Sequence, residues 1–418
     1  MRALAGAMRA RVGAIVNTHV HLPPNFSAFD TPAQAVQLAA REGVRALGAS
    51  NYHHFGVYAS LRDEAARAGV IPLFGIEIIT LVEGLQRDGV LVNDPVNPGR
   101  MYLCGKGITR FDPPSGAAAG LLAGMRVASD ERMREMAERL RQCFAAAGLS
   151  TGLTEATIAD EVARLAGVPR PWVSLQERHL ARAFQQALFG QVAPDERRDV
   201  LGRAFGTRST AEADDPIAVQ DEIRSHLMKA GRPAFVPEAA ITFEAAYRLI
   251  LQLGGIPCYP TLADGTTPIC EFEDPPDALA RKVLERGIYC AELIPRRNRP
   301  DVVDRYVQAY RRAGVIVVSG TEHNTPHLIP LEPRCRDGAS LSEAATEAFW
   351  EGACVVTAHQ HLGLAGRPGY VDGEGTPAAG FESDEARVRH FAQYGSALIL
   401  GDPGRAAAPS DSAATVVR

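Results

Sequence analysis

Short apolar runs alternate with longer amphipathic stretches along the first third of the chain, the pattern of parallel β-strands joined by crossover helices. The run over 14–21 predicts a first strand. Pro32 then sits where a first helical turn tolerates it, behind Thr31 or Asp30 as N-cap, and Gly43 ends that helix. Residues 44–50 predict a second strand, 57–68 a helix stopped by Gly69, and 70–78 a third strand. The same rhythm resumes after Phe243, with a helix to Leu253, a strand over 256–259, a helix over 277–285, a strand over 288–294, a helix over 301–313 and an apolar strand over 315–319. The expected class is α/β, with both blocks contributing to one barrel.

Between the blocks, over 125–232, the pattern changes to charged amphipathic helices with no apolar run between them: 129–147, Glu155–Ala166 and 175–188. We expect a helical insertion there, dividing the barrel into halves at 1–124 and 233–401. Ile158, Val162 and Leu165 form a helical stripe followed by Gly167 and Val168, a spacing shared with helix-turn-helix segments over 148–173. The surroundings are not basic and the packing of a helical hairpin accounts for the same stripe, so nucleic acid is not an expected partner. From 402 to 418 Ala, Pro and Ser dominate, the composition of a disordered tail.

Composition narrows the class further. Of the 418 residues 46% are hydrophobic, enough for a large core. With 44 Lys and Arg against 49 Asp and Glu, the net charge of −5 gives no general basic face for nucleic acid or an anionic membrane. The seven cysteines are scattered, odd in number and without a CxxC pair, which argues against a disulfide framework and for a cytoplasmic setting. Arg2, Arg9 and Arg11 break up the opening segment, which lacks an apolar run long enough for a signal peptide or a membrane span.

The residues with chemistry gather at predicted strand ends. His19 and His21, in Asn17-Thr18-His19-Val20-His21, stand two apart on a strand and project to one face, where two imidazoles can converge on one ion. Glu77, in Gly75-Ile76-Glu77, is a carboxylate inside an apolar segment, a position that calls for a metal or a cationic partner. Glu322 and His323 close the last strand in Ser319-Gly320-Thr321-Glu322-His323. C-terminal strand ends form the active-site rim of a parallel barrel, so His19, His21, Glu77, Glu322 and His323 are the expected metal ligands, and Glu77, Glu322 and His323 the candidate catalytic groups. Substrate-binding candidates are Asn51 and His53 behind the second strand, Lys106 between Gly105 and Gly107, and Arg296 and Arg297 after the strand carrying Glu292. Paired guanidinium groups grip phosphate or carboxylate bidentately, although a solvated turn explains the two arginines equally well. Lys106 lacks the spacing of a P-loop. His359 and His361 lie beyond these motifs and are read as structural.

In this order the motifs resemble the PHP family, the polymerase and histidinol-phosphatase type of metal-dependent phosphoesterase. The matching positions are the His-x-His strand (His19, His21), the Gly-x-Glu strand (Gly75, Glu77), a Gly-Gly-led strand (Gly254, Gly255) and a late loop with an acid and a histidine (Gly320, Glu322, His323). The resemblance covers 12–107 and 233–330 and implies a distorted (β/α)7 TIM-like barrel of PHP type carrying the helical insertion. The departures matter: Asn51-Tyr52 stands where the family has Asp-His, Tyr259-Pro260 where it has His-Pro, Met101-Tyr102 where it has a further histidine, and Glu322 where it has aspartate. His323 falls one place early. Tyrosine and asparagine bind hard divalent ions poorly beside histidine and carboxylate, so one or two ions of Zn, Mn or Fe are expected, not three.

The resemblance implies a metal-dependent hydrolase, a phosphoesterase acting on a small anionic substrate through metal-activated water. Amidohydrolase-like barrels also begin with His-x-His, and a degenerate barrel that binds a ligand or partner without catalysis fits the substituted positions. Both alternatives stay open at this stage, and the sequence carries no signal for an oligomeric state.

Overall fold

In a computed structural model that describes residues 14–401, the apolar runs of the first block form three parallel strands, β1 (Ile15–Val20), β2 (Val44–Ala49) and β3 (Ile71–Leu81). The helices Pro32–Arg41 and Tyr58–Ala68 connect them. Local chemistry sets their ends: the Thr31 hydroxyl accepts the Gln34 amide (3.2 Å), and Gly69 takes the left-handed φ of 66° that terminates the second helix. The tail expected over 402–418 lies outside the described residues.

The alternation changes after β3. The connection over 82–99 holds only the short helix Glu83–Arg87, so nothing returns the chain to the barrel floor, and β4 (Arg100–Lys106) runs back antiparallel to β3. The two-residue β5 (Ile241–Thr242) pairs with β3, while β6 (Ile256–Thr261), β7 (Cys290–Leu293) and β8 (Ile316–Ser319) are parallel neighbours, with β6 antiparallel to β4. The order β1-β2-β3-β4-β6-β7-β8 nearly closes on itself. Beyond β8 the chain bonds back to β1, the His21 amide donating to Glu322 O (2.7 Å) and the Glu322 amide to His19 O (2.9 Å). The molecule is thus the α/β barrel the pattern predicts, with one strand reversed.

That reversal positions everything above the barrel. Because β4 ends low, with Lys106 level with Gly75 of β3, the next helix, Gly116–Ala146, begins near the floor and climbs. Its 31 residues span about 46 Å at 1.5 Å per residue. Ala118 and Leu122 lie in the barrel core, whereas Met136, Leu140 and Phe144 lie in a second core shared with Phe184 and Val219. The helices Glu155–Ala166, Glu177–Gln191, Arg197–Phe205 and Pro216–Ile223 complete this lobe, and among the described residues no sheet strand falls between 107 and 240. Ile158 and Val162 of the hairpin stripe are buried in the lobe core, and Leu165 is exposed. The lobe meets the barrel mouth where Trp172 stacks on His54 (5.1 Å) and His179 sets its edge against Phe26 (5.2 Å).

Two helices close the other end. Trp350, Cys354, Val355 and Leu362 of Glu343–Leu364, and Phe391 of Asp384–Leu400, cover Val16, Ala46, Leu73, Ile256 and Ile316 at the N-terminal ends of the strands. His359 is spent there, its ring accepting the Tyr370 amide (3.1 Å) and donating to Gly254 O (3.0 Å). None of the described helices is long and apolar enough to cross a membrane.

Candidate metal centre

Two residues of strand period bring His19 and His21 to the barrel interior, while the intervening Val20 packs outward with Leu22 and Leu47. Close approach of the flanking strands needs glycine on both sides: a Cβ at Gly320 would sit 2.3 Å from His19 Cβ, and one at Gly48 would sit 2.4 Å from Thr18 O. Glu77, inward on β3, completes a triangle. Its Oε2 lies 3.1 Å from His19 Nε2 and 3.3 Å from His21 Nε2, and the two Nε2 atoms are 3.4 Å apart. All three residues are buried.

These separations fit a metal ion. Two donors held about 2.1 Å from a zinc-sized ion at a tetrahedral angle lie about 3.4 Å apart. Burial alone would raise the Glu77 pKa, but the two imidazoles hold it well below the ordinary carboxylate range, so Glu77 is an anion. Behind His19 stands Glu292 on β7, whose Oε2 accepts from His19 Nδ1 (2.8 Å) and so directs the ring's other nitrogen toward the triangle. Burial opposes charge on His19, yet Glu292 outweighs it and raises the His19 pKa well above the usual value. A proton on Nε2 therefore fills the triangle when no ion does, and an ion must displace it.

Glu292 is itself neutralised from below. Lys106 Nζ donates to its Oε1 (2.6 Å), and both residues are buried, Glu292 fully and Lys106 to 2% exposure. Burial raises the Glu292 pKa, but His19 and Lys106 bring it down to about 2. His19, Cys104 and Glu292 also stand close enough to suggest ligands, but the ammonium already occupies that corner. Burial also pushes the Cys104 thiol up to about 11, leaving it neutral. The donor set that fits a cation is His19, His21 and Glu77.

Tyr52 seals one side of the triangle. Its hydroxyl donates to Glu77 Oε1 (3.2 Å), and its ring stacks on His21 (5.1 Å, 14°). Burial and then Glu77 raise its pKa well above the phenol range, so it remains a donor. A cavity of about 620 Å³ opens above, lined by His19, Tyr52, Glu77, Tyr102, Arg297 and Glu322 among others.

The other sequence candidates are placed differently. Glu322 faces the same cavity but stands outside the triangle, its carboxylate held by Arg297 and by Asn324 Nδ2 (3.0 Å). Both Glu322 (φ 61°) and His323 (φ 51°) occupy the left-handed region, a cost of about 1 kcal/mol or more each that clusters at functional sites. His323 turns into the barrel wall: Nδ1 meets Thr321 Oγ1 (2.8 Å), Nε2 meets Ile329 O (2.9 Å), and the ring stacks on Phe29 (4.8 Å). Burial brings its pKa to about 4, and neither nitrogen is left for an ion. Asn51 is consumed by the Leu22 backbone, accepting from its amide (2.9 Å) and donating to its carbonyl (2.8 Å). Lys106, expected at the substrate, lies beneath the triangle because β4 is reversed, and it does not line the cavity. His53 and Arg297 line a second cavity described below, and Arg296 is exposed beside it without lining either.

Reasoning from sequence missed Glu292 as a functional residue, although it obeys the rule that found Glu77, a carboxylate inside an apolar strand. It also missed Tyr52 and Tyr102 as cavity walls, treating them only as absent ligands.

No family model matches the chain, and no curated protein does either. Among solved structures it is similar to a Bifidobacterium adolescentis protein assigned as a metal-dependent phosphoesterase, at 17% identity and a TM-score of 0.53 over 80% of this chain and 94% of that one. It is also similar to an amidohydrolase from Chromobacterium violaceum, solved with bound sulfate and no metal, at 19% identity and a TM-score of 0.50 over 77% of this chain and 94% of that one. At such identities the likeness is one of fold: the chain shares a nearly closed α/β barrel with both.

Proposed function

We propose that this protein is a metal-dependent hydrolase of PHP-like type, using one divalent ion held by His19, His21 and Glu77 and acting on a phosphate ester of a small molecule. The observation that carries this reading is the buried triangle of two imidazole nitrogens and a carboxylate oxygen, spaced 3.1–3.4 Å apart, with Glu292 fixing one ring from behind. Two nitrogens and one oxygen suit Zn, Mn or Fe. Only one carboxylate oxygen is free for the ion, because Tyr52 holds the other, which favours one ion over two. A bound ion supplies Lewis acidity and acidifies water at neutral pH.

The protein's own groups do the rest. Tyr52, kept protonated, is a hydrogen-bond donor on the cavity wall. Glu322, tethered by Arg297 and Asn324, is the carboxylate positioned to take a proton from the attacking water, and Arg297 is the cation positioned to meet the substrate's anion. The likeness to an amidohydrolase supports the neighbouring reading of amide hydrolysis at the same centre.

The test is elemental analysis of full-length protein purified without chelator, followed by assays on phosphate monoesters, phosphodiesters and amides. One equivalent of metal with phosphoester turnover is the expected result. Turnover of amides alone would transfer the assignment to the second reading, and protein empty of metal after metal-replete expression would remove both.

A further inference from the structure

Beside the metal-facing cavity, and sharing Tyr52, Tyr102, Arg132, Glu177, Lys229, Glu238, Arg297 and Asn324 with it, lies a vestibule of about 390 Å³ roofed by the helical lobe. Its charges do not balance. Four cations, Arg132, Arg178, Arg224 and Lys229, share two carboxylates. Glu177 takes Lys229 (2.7 Å) and Arg132 (2.8 Å), with Arg224 at 3.7 Å, and Asp221 takes Arg178 (3.4 Å), with Arg224 again at 3.7 Å. The other acid on the wall, Glu238, is matched by Arg100, and Arg297 by Glu322. Two positive charges are left over. Burial and the neighbouring Arg224 push the Arg178 pKa below its ordinary value, as crowded like charges do.

The walls also hold polar atoms with nothing to bond. Among the described residues, His53 Nδ1, Ser174 Oγ and Arg224 Nε are buried without a hydrogen-bond partner, and all three residues line this vestibule. Ser174 is 3% exposed. Buried polar groups are almost always paired, so three orphans within the residues that line one cavity mark a region left short of hydrogen bonds. Arg224 opens a π-helical turn, Arg224–Met228, a distortion that recurs at functional sites.

We infer that the vestibule is an anion subsite of the lobe, taking a phosphate group carried on the part of the substrate remote from the bond that is broken. The two surplus positive charges match a dianion, and the guanidinium groups supply its hydrogen bonds. The substrate class narrows to small molecules with a phosphate tail beyond the hydrolysed ester. This narrowing rests on the hydrolase reading, but the subsite itself does not.

The experiment is isothermal titration calorimetry of inorganic phosphate into the full-length protein after chelation, at low and high NaCl. Wild type, His19→Ala/His21→Ala, Arg224→Gln/Lys229→Gln and the single variant Lys229→Gln are compared. Lys229 is half-exposed, so the single variant tests the site even if the double variant folds poorly. Phosphate should bind wild type and the histidine variant equally, more weakly in high salt, at least tenfold more weakly in the double variant and measurably more weakly in the single one. Binding that is absent, indifferent to Lys229 and Arg224, or lost with the histidines would overturn the subsite. Metal content, read on a separate preparation made without chelator, decides the hydrolase reading independently.

Discussion

Two buried ionic groups sit one above the other inside the same barrel, and they share His19. The lower, Lys106 with Glu292, is complete: the ammonium donates to the carboxylate (2.6 Å) and reaches Thr18 O (3.3 Å), while the second carboxylate oxygen receives His19 Nδ1. The upper, His19 with His21 and Glu77, is not. His19 Nε2, His21 Nε2 and Glu77 Oε2 converge to 3.1–3.4 Å, bridged only by protons that an ion would displace, and His21 Nδ1 has no partner among the described residues. A buried polar group that is satisfied holds structure; one that is left short holds a place for a ligand. That difference supports placing the proposed ion at the upper level.

The comparison breaks most visibly at the upper level. His19→Ala/His21→Ala should weaken ion binding by at least a thousandfold, about 4 kcal/mol, and should also lower the melting temperature of the chelated protein, because the buried Glu77 carboxylate loses both imidazoles that hold its charge. Elemental analysis beside a thermal melt measures both. A full metal load in that variant would make these histidines structural.

At the lower level the effects should reverse. Glu292→Ala leaves a buried, unpaired ammonium and should cost about 3–5 kcal/mol of stability in urea unfolding of the chelated protein. A loss below about 1 kcal/mol would mean that the pair does not hold the barrel together. The same pair makes the protein acid-sensitive. The Glu292 pKa falls from 4.5 to about 2 on folding, so its stabilisation is complete above the unfolded value and disappears as pH drops through that window. Removing both charges with Lys106→Met/Glu292→Leu should abolish this part of the acid sensitivity and recover most of the stability. Ion affinity should still fall about 10–100-fold, because His19 loses the acceptor that orients it. Unchanged affinity in the double variant would reduce Glu292 to a structural partner of Lys106.

The smallest effect is expected at Tyr52. Tyr52→Phe removes one hydrogen bond to Glu77, should cost about 1 kcal/mol of apo stability in urea unfolding, and frees the second Glu77 oxygen for a metal ion. A second equivalent of metal in this variant would show that the hydroxyl is what limits the site to a single ion.

Much of this was legible in the chain, and the reasons are local. The period of two on β1 places His19 and His21 together, and an acid within an apolar run flags Glu77. The barrel itself follows from alternating patterns and their capping residues. What escaped depends on distant partners. Lys106, flanked by glycines, looks like a loop residue until the reversal of β4 turns it under His19, 186 residues before the Glu292 that it neutralises. His323 looks like a ligand until Thr321 and Ile329 are seen to take both its nitrogens. Arg132, Arg178 and Arg224 sit on amphipathic helices whose charged faces look solvated, and only the docking of the lobe turns them toward a cavity.

The helix Gly116–Ala146 makes the barrel and its lobe a lever and its load. It is clamped at one end by Ala118 and Leu122 in the barrel core and carries Arg132 at the vestibule partway along. Over its length of about 46 Å, a tilt of about 5° at the clamp would swing the far tip by roughly 4 Å, more than the length of a hydrogen bond. Small packing changes beneath the barrel wall, at positions that touch neither the triangle nor the vestibule, would therefore be magnified into changes in how the roof sits over the cavity.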